Sequence, residues 1–358
     1  MSFSLASLLQ RQLPGMGILA LACLLANCGG SSANESDIQS GSNGSSHQLL
    51  FIADNSVGPS PLIHTFQLDT KAGSLKEVGT PIDSVWARPL IIDPKGRFLY
   101  AGPIQTTAQT VLGYTIDAAT GQLSPIPGSP FFSEYGGRLI VIDPTSKFLY
   151  ADGQAFSIDQ NTGALTAFNT VAGITPAAIT KDGIAIRFDC PSVGGPGTLA
   201  SYRIDAAGNL VNLANVTLTC ITGKVDVDPT GKFVYVSTAV FKLDPSTGAM
   251  TQTPGSFPIS LLAFDPLGRF LYSSEATNPS AIDGLAIDPA SGALTLVPGS
   301  PFTVQLGLGN AAVDPSGHFL VTALESTFSI DQTSGALSPV QPFVPLNTTA
   351  IAFYPPQK

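Results

Sequence analysis

The chain has 358 residues, of which 44% are hydrophobic and only 11% are charged, so intrinsic disorder is excluded for most of its length. Its formal net charge of −9 disfavours nucleic-acid binding and a broad electrostatic attachment to anionic lipid, because both depend on basic patches. The 36 Gly and 29 Pro residues indicate many turns, and long Ala/Glu/Lys/Leu stretches are missing, so a helical bundle is disfavoured.

Residues 1–27 are predicted to form a signal peptide. Arg11 is the one charged residue before Glu35, and an apolar run over residues 16–26 follows it. This run has the length of a signal-peptide core and is too short to span a bilayer. Its LANC ending resembles a bacterial lipoprotein leader, which implies lipidation of Cys28. Lipidation of Cys23, ordinary secretion and a retained anchor are the alternatives.

Residues 28–47 are rich in Ser, Gly and Asn, a composition that predicts a flexible tether. A lipid on Cys28 would then hold a folded domain off a membrane surface. Gly29, rather than Asp, follows the cysteine, as in the outer-membrane sorting pattern of Gram-negative cells. The predicted location is therefore the cell envelope of a bacterium, on the outer membrane or facing the periplasm, or the extracellular space.

A short sequence signature repeats along residues 48–358. It consists of an apolar residue, Asp, a few linker residues, Gly and, within one or two residues, another apolar residue, as in TIDAATGQL. Asp can bond the following amides of a turn, and Gly accepts positive φ. The copies begin at Gln67, Thr115, Ser157, Arg203, Lys242, Ala286 and Ser329.

A second signature, Asp-Pro-x-x-Lys/Arg/His-Phe, alternates strictly with the first. It begins at Asp93, Asp143, Asp228, Asp265 and Asp314, and a degenerate copy begins at Thr180. Each period of about 37–50 residues holds four short β-rich runs, which matches a propeller blade. The sequence therefore predicts an all-β fold, a seven-bladed β-propeller with four antiparallel strands per blade over residues 48–358.

Closure of the ring is predicted from the two ends of this region. The first copy, from Gln48, lacks an inner strand, while the segment from Thr348 resembles an inner strand with no blade after it. The C-terminal strand should therefore complete the first blade and leave no free edge inside the ring. A seven-stranded β-sandwich is the alternative, but it would not repeat four strands seven times.

Cys190 and Cys220 remain outside the leader. An exported compartment is oxidising, which favours a disulfide between them. Two free thiols are the alternative. A metal pair is disfavoured because no His or third Cys lies nearby in the sequence.

Together these motifs resemble the seven-bladed lactonase family, the propeller relatives of bacterial 6-phosphogluconolactonase. The segments that carry the resemblance are DPKGRFLY, DPTGKFVY, DPLGRFLY, DPSGHFL and YTIDAATGQLSPIPGSPF. They lie in strands and turns, so the resemblance implies the fold. It also implies a central funnel with His, Arg and Glu, yet none of His47, His64 and His318 maps to a loop on the funnel side.

Function is expected on the face where the loops stop repeating, which we call the top face. Variable loops on a rigid ring usually carry binding sites. The candidates for a catalytic role are Arg88, Arg138 and Glu134. The candidates for ligand binding are Trp86, Tyr135, Lys224, Glu275, Asn310 and Glu325.

The leading functional prediction is a binding or scaffold module that uses the top face. Its ligand would be an envelope protein, a glycan or a small anion. The alternative is a lactonase-family hydrolase without a metal, which needs a group that activates water and a group that stabilises an oxyanion. Neither interpretation requires a cofactor, and the HExxH, P-loop and GxSxG motifs are missing from the sequence.

The lipoprotein prediction is tested by Cys28→Ser. Loss of the lipidated residue should release the protein from membranes into the soluble fraction, which cell fractionation measures. Cys23→Ser is the matched control and should leave the membrane fraction unchanged. Unchanged fractionation of Cys28→Ser would contradict the prediction.

Overall fold

The structure, a computed structural model, describes most of residues 47–355. The segments outside this description are 55–60, 85–86, 104–108, 171–174, 221–223, 237–238, 255–260, 275–277, 279, 304–310, 323–325 and 343–347. Within the described residues, no helix is long and apolar enough to cross a membrane.

The described residues form short β-strands throughout. In chain order they are β1 (His47–Asp54), β2 (Leu62–Asp69), β3 (Leu75–Asp83), β4 (Ala87–Ile92), β5 (Phe98–Pro103), β6 (Thr110–Ile116), β7 (Leu123–Pro125), β8 (Phe131–Phe132), β9 (Ile140–Ile142), β10 (Phe148–Ala151), β11 (Gln154–Ile158), β12 (Leu165–Thr170), β13 (Ala178–Ile179), β14 (Ile184–Asp189), β15 (Pro196–Ile204), β16 (Leu210–Thr219), β17 (Val225–Val227), β18 (Phe233–Val236), β19 (Ala239–Leu243), β20 (Met250–Gln252), β21 (Leu261–Phe264), β22 (Phe270–Ser274), β23 (Ala281–Ile287), β24 (Leu294–Leu296), β25 (Phe302–Thr303), β26 (Ala311–Val313), β27 (Phe319–Thr322), β28 (Ser326–Ile330), β29 (Leu337–Pro342) and β30 (Thr348–Phe353).

These strands pair into seven antiparallel sheets, which confirms the predicted seven-bladed propeller. Blade 1 is β30-β1-β2-β3, and blades 2 to 7 begin with β4, β9, β13, β17, β21 and β26, in that order. Two-residue strands β8 and β25 add to blades 2 and 6. The first strand of each blade contacts first strands of neighbouring blades, so these are the inner strands around the central channel.

The C-terminal strand closes the ring as predicted. β30 pairs with β1 in antiparallel register, with Leu50 opposite Phe353 and Ile52 opposite Ile351. The Thr349 hydroxyl also donates to the carbonyl of Ala87 at 2.8 Å, which ties the closing strand to blade 2. Blade 1 is thus built from both ends of the described region.

The repeated Asp residues organise the turns at one end of the ring, which we call the bottom face. The Asp93 carboxylate accepts the N–H groups of Arg97 and Phe98 at 2.5 and 2.8 Å. The Asp117 carboxylate accepts those of Ala119 and Thr120 at 3.0 and 2.9 Å. Because both signatures recur, the same turns recur from blade to blade.

The core lies between blades rather than at one centre. The described buried residues form seven apolar clusters, and each joins a pair of adjacent blades. The Phe of the second signature packs on the Gly of the first signature in the next blade. At Gly163, for example, φ is +76° and an added Cβ would come within 2.5 Å of Phe98.

A buried hydroxyl also ties most blades to the next one. Tyr100 in blade 2 donates to the carbonyl of Gly163 in blade 3 at 2.7 Å. In blade 4, where Ile186 replaces the Tyr, the opposing Ser201 donates to Gly248 of blade 5 at 2.7 Å. The remaining ties are Thr65 to Gly121, Tyr150 to Gly208, Tyr235 to Gly292, and Tyr272 to Gly335.

These ties predict a measurable cost for Tyr272→Phe. Tyr272 is fully buried, and removal of its hydroxyl leaves the Gly335 carbonyl without this donor. The free energy of unfolding should fall by about 1–3 kcal/mol in a denaturant titration. Tyr135→Phe, at a tyrosine that is 45% exposed, is the control and should have little effect. Equal stability of the two variants would contradict the interblade role.

Candidate functional site

The candidate site lies at the top end of the inner strands, where each enters the ring opposite its Asp-Pro turn. Arg88 is the second residue of β4 in blade 2 and is exposed. Lys224 directly precedes β17 in blade 5. Blades 2 and 5 are separated by two blades on one side of the ring and three on the other, so these two cations face each other across the channel.

The electrostatics of Lys224 reflect this position. Burial lowers the pKa of its ammonium group, and the positive charge of Arg88 lowers that pKa further. Asp226 opposes both effects. Lys224 is nevertheless exposed, so an anion could reach its ammonium group, and an anion would stabilise two cations held in this arrangement.

Asp226 lies on inner strand β17, two residues deeper than Lys224. Alternate residues of a strand share a face and lie about 6–7 Å apart, so the carboxylate is below the ammonium on the same side. Burial raises the pKa of Asp226 to about 6, although Lys224 and the Val227 N–H, at 2.8 Å, favour its charged form. Its side chain still keeps partial solvent access.

Asp226 was not predicted as a site residue from the sequence, because its sequence context is typical of a β-strand. A signal was nevertheless present. The equivalent residue, two before the Asp of each Asp-Pro turn, is Ile91, Val141, Ala263 and Ala312 in other blades. A carboxylate in a position that is otherwise apolar marks a departure from the repeat.

Arg138, Glu134 and Tyr135 lie together on one exposed turn that leads into β9 of blade 3. The Arg138 N–H donates to the Asp152 carboxylate at 2.6 Å, and the Leu139 N–H donates to it at 3.1 Å. Burial raises the pKa of Asp152, against these bonds. The predicted residues of blade 3 therefore form an exposed rim in the blade next to blade 2, which carries Arg88.

Trp86, Glu275, Asn310 and Glu325, the other predicted ligand-binding residues, lie outside the described residues, as does Cys28. The described histidines lie away from the inner strands. His64, on β2, is buried and its Nδ1 is 2.6 Å from Glu77 Oε1. Within the described ranges, no three His, Cys, Asp or Glu side chains form a metal-ligating group.

A disulfide joins Cys190 to Cys220, with a Cα–Cα distance of 5.3 Å. The Cys220 N–H donates to the Gly195 carbonyl at 2.8 Å. Nearby, Arg187 forms an ion pair with Asp189 at 3.4 Å. The disulfide fixes the chain four residues before Lys224, so it also restrains the approach to the candidate site.

Comparison with known proteins gives a match to a family of propellers. Residues 49–151 match the family model described as "Lactonase, 7-bladed beta-propeller". The resemblance to the seven-bladed lactonase family is confirmed. This chain is 25% identical over 334 residues to the 6-phosphogluconolactonase of Pectobacterium carotovorum, a match that covers 82% of this chain and 94% of the relative.

Two further proteins match most of this chain. The 6-phosphogluconolactonase of Formosa agariphila is 25% identical over 324 residues, which cover 74% of this chain and 86% of the relative. The structure of a periplasmic gluconolactonase from Pseudomonas aeruginosa superposes with a TM-score of 0.65 at 17% identity, over 86% of this chain and 99% of that one. The two matched 6-phosphogluconolactonases support the lactonase interpretation better than the binding or scaffold interpretation.

The raised pKa of Asp226 predicts a pH-dependent effect on the stability of this propeller. A carboxyl whose folded pKa lies above its unfolded value of about 4 destabilises the fold as pH rises through about 6. Asp226→Asn should therefore stabilise the fold by about 2–3 kcal/mol at pH 7. The gain should vanish below about pH 4, as measured by denaturant titrations across this range.

Asp189→Asn, at a carboxylate on the surface near the same face, is the matched control for this effect. It should show no comparable gain in stability between pH 4 and pH 7. A loss of stability on Asp226→Asn at pH 7 would contradict the assignment of Asp226 as a desolvated carboxylate.

Proposed function

We propose that this protein hydrolyses a sugar lactone at the top end of its central channel, with Asp226 as general base and Lys224 and Arg88 as the cations that stabilise the developing oxyanion. The observation that carries the proposal is the juxtaposition of a carboxylate of pKa about 6 with two cations at one end of the channel. The relatives' activities supply the reaction class.

The chemistry requires a base that is ionised near neutral pH yet basic enough to accept a proton. At pH 7 most Asp226 side chains would be ionised, and the best general bases have a pKa near the working pH. The Asp226 carboxylate would take a proton from water as the water oxygen attacks the lactone carbonyl carbon. The ring C–O bond then breaks, the alkoxide leaving group takes the proton from Asp226, and the new carboxylic acid loses its own proton to solvent.

The two cations act on the charge that appears during this reaction. Negative charge develops first on the carbonyl oxygen and ends on the carboxylate of the hydroxy acid. Preoriented cations in a partly desolvated site stabilise such charge more strongly than water does. Arg88 would also hold an anionic substituent, because guanidinium binds carboxylate and phosphate with two hydrogen bonds.

We propose that Arg138, Glu134 and Tyr135 recognise the sugar hydroxyls from the rim of blade 3. All three are exposed on one turn, and an exposed Tyr beside Arg and Glu offers both ring contact and hydrogen bonds. With the predicted leader, the enzyme would act as a lipid-anchored protein of the cell envelope.

The test is a hydrolysis assay with glucono-δ-lactone, its 6-phosphate ester and simpler lactones. Asp226→Asn should lower kcat by roughly 100-fold or more, as expected for loss of a general base. Arg88→Ala should raise KM for anionic lactones by about tenfold and change KM for neutral ones much less. The kcat/KM of the unmodified protein should fall on the acid side with a midpoint near pH 6.

Asp189→Asn is the matched control here as well and should retain full activity. Folded protein that opens none of these lactones above the uncatalysed rate would overturn the hydrolase proposal. Binding of gluconate by Lys224 and Arg88 without turnover, measured by calorimetry, would instead support a binding module for small anions.

A further inference from the structure

The outer strand of blade 4 is the longest outer strand among the described residues. β16 has ten residues, LVNLANVTLT, without a charged residue, Gly or Pro. By contrast, β3 contains three charged residues and a Pro, β7, β20 and β24 have three residues each, and β29 contains two Pro. β12 of blade 3 also lacks charged residues, Gly and Pro, but it has only six residues. Charges, Pro and short length are the devices that keep sheet edges from pairing with other chains. β16 has none of them.

The hydrogen bonds of Cys220, directly after β16, show which backbone groups of this strand point to its free edge. Cys220 forms backbone bonds with Gly194 and Gly195, so its N–H and C=O point toward β15. The register is regular from Ala214 to Thr219, and hydrogen-bonding direction alternates along a strand. Val216 and Leu218 therefore bond to β15. The backbone groups of Asn215, Thr217 and Thr219 point to the free edge.

This edge is complementary to itself. With two copies antiparallel and Thr217 on the two-fold axis, Asn215 of one copy faces Thr219 of the other. The three outward residues of each copy would then form roughly six backbone hydrogen bonds. Val216 faces Leu218 of the other copy, so apolar residues meet apolar ones, and Thr217 meets Thr217, a favourable cross-strand pair.

The charge distribution also favours a second copy at this edge. Two chains of net charge −9 repel each other over most of their surface. From residue 190 to residue 219, however, the charged residues are Arg203 and Asp205 alone. Beside the edge, a surface groove of about 380 Å³ is lined by Gly194–Pro196 and Thr217–Thr219. The disulfide restrains the end of the strand, which reduces the entropy lost on pairing.

We propose that two copies of this protein associate through β16, in antiparallel register centred on Thr217, to form a two-fold symmetric dimer. The two blades 4 would join into one continuous eight-stranded sheet. Association of this kind uses main-chain hydrogen bonds for affinity and the alternating side chains for register. The dimer stands on the edge of blade 4 and is independent of the proposed hydrolysis.

The first test is sedimentation velocity of the full-length protein in mild detergent, over a range of concentrations. The unmodified protein should sediment as a dimer at high micromolar concentration. Thr217→Lys should sediment as a monomer, because it brings two like charges together on the two-fold axis. Thr251→Lys, at an exposed Thr on outer strand β20 of blade 5, is the matched control and should remain dimeric.

The register is tested by cysteine crosslinking under mild oxidation. Thr217→Cys should form a covalent dimer, because residues opposite each other in antiparallel strands lie within disulfide range. Asn215→Cys alone should not, since its two copies would be four residues out of register. A mixture of Asn215→Cys and Thr219→Cys chains should crosslink.

A protein that is monomeric at all concentrations would overturn the proposal. The free edge of β16 would then be available for pairing with a different protein. A dimer that persists in Thr217→Lys would overturn it as well, since its interface would lie elsewhere. Crosslinking of Asn215→Cys but not of Thr217→Cys would overturn the proposed register.

Discussion

The buried hydroxyl that reaches from one blade to a glycine carbonyl of the next is the interaction on which the remaining structure depends. A propeller has no single centre, so its blades stay together only through contacts at each junction. Apolar contact supplies most of the burial, but it is not directional. The hydrogen bond from Tyr100 to Gly163, and its equivalents, give six of the seven junctions one fixed distance and angle. Loss of one of these hydroxyls is costly in stability, because the buried glycine carbonyl is then left without a hydrogen-bond donor.

This constraint explains how two cations can be held facing each other across the channel. Arg88 and Lys224 repel each other, and on a flexible scaffold they would move apart into water. Here they belong to blades 2 and 5, and the intervening junctions carry the ties from Tyr100, Tyr150 and Ser201. The fold therefore maintains an unfavourable charge arrangement that an anionic ligand relieves. Asp226, desolvated on the same inner strand, adds to the cost, and functional sites commonly reduce stability in this way.

Turn chemistry and a four-strand period were sufficient to predict the fold, the blade number and the closing strand from sequence. Arg88 and Lys224 were also predicted as site residues, because both were expected on the top face. Asp226 was missed, since its pKa depends on burial and on a strand partner that the local sequence does not specify. The closeness of Arg88 to Lys224 could not be predicted either. It results from ring closure, which brings together residues far apart in the chain, and no local pattern encodes that distance.

The junction between blade 7 and blade 1 departs from the others. Val321 stands where blades 2, 3, 5 and 6 have the tying tyrosine, and the opposing Thr327 hydroxyl is buried with no hydrogen-bond partner among the described residues. This seam is held there by apolar contact, including Phe319 against Gly73. Thermal fluctuations that separate neighbouring blades should therefore be largest at the junction between blades 7 and 1. The junctions from blade 2 to blade 5 all carry these hydrogen bonds. The junction between blades 7 and 1 can therefore loosen without changing the spacing of the residues that face each other across the channel.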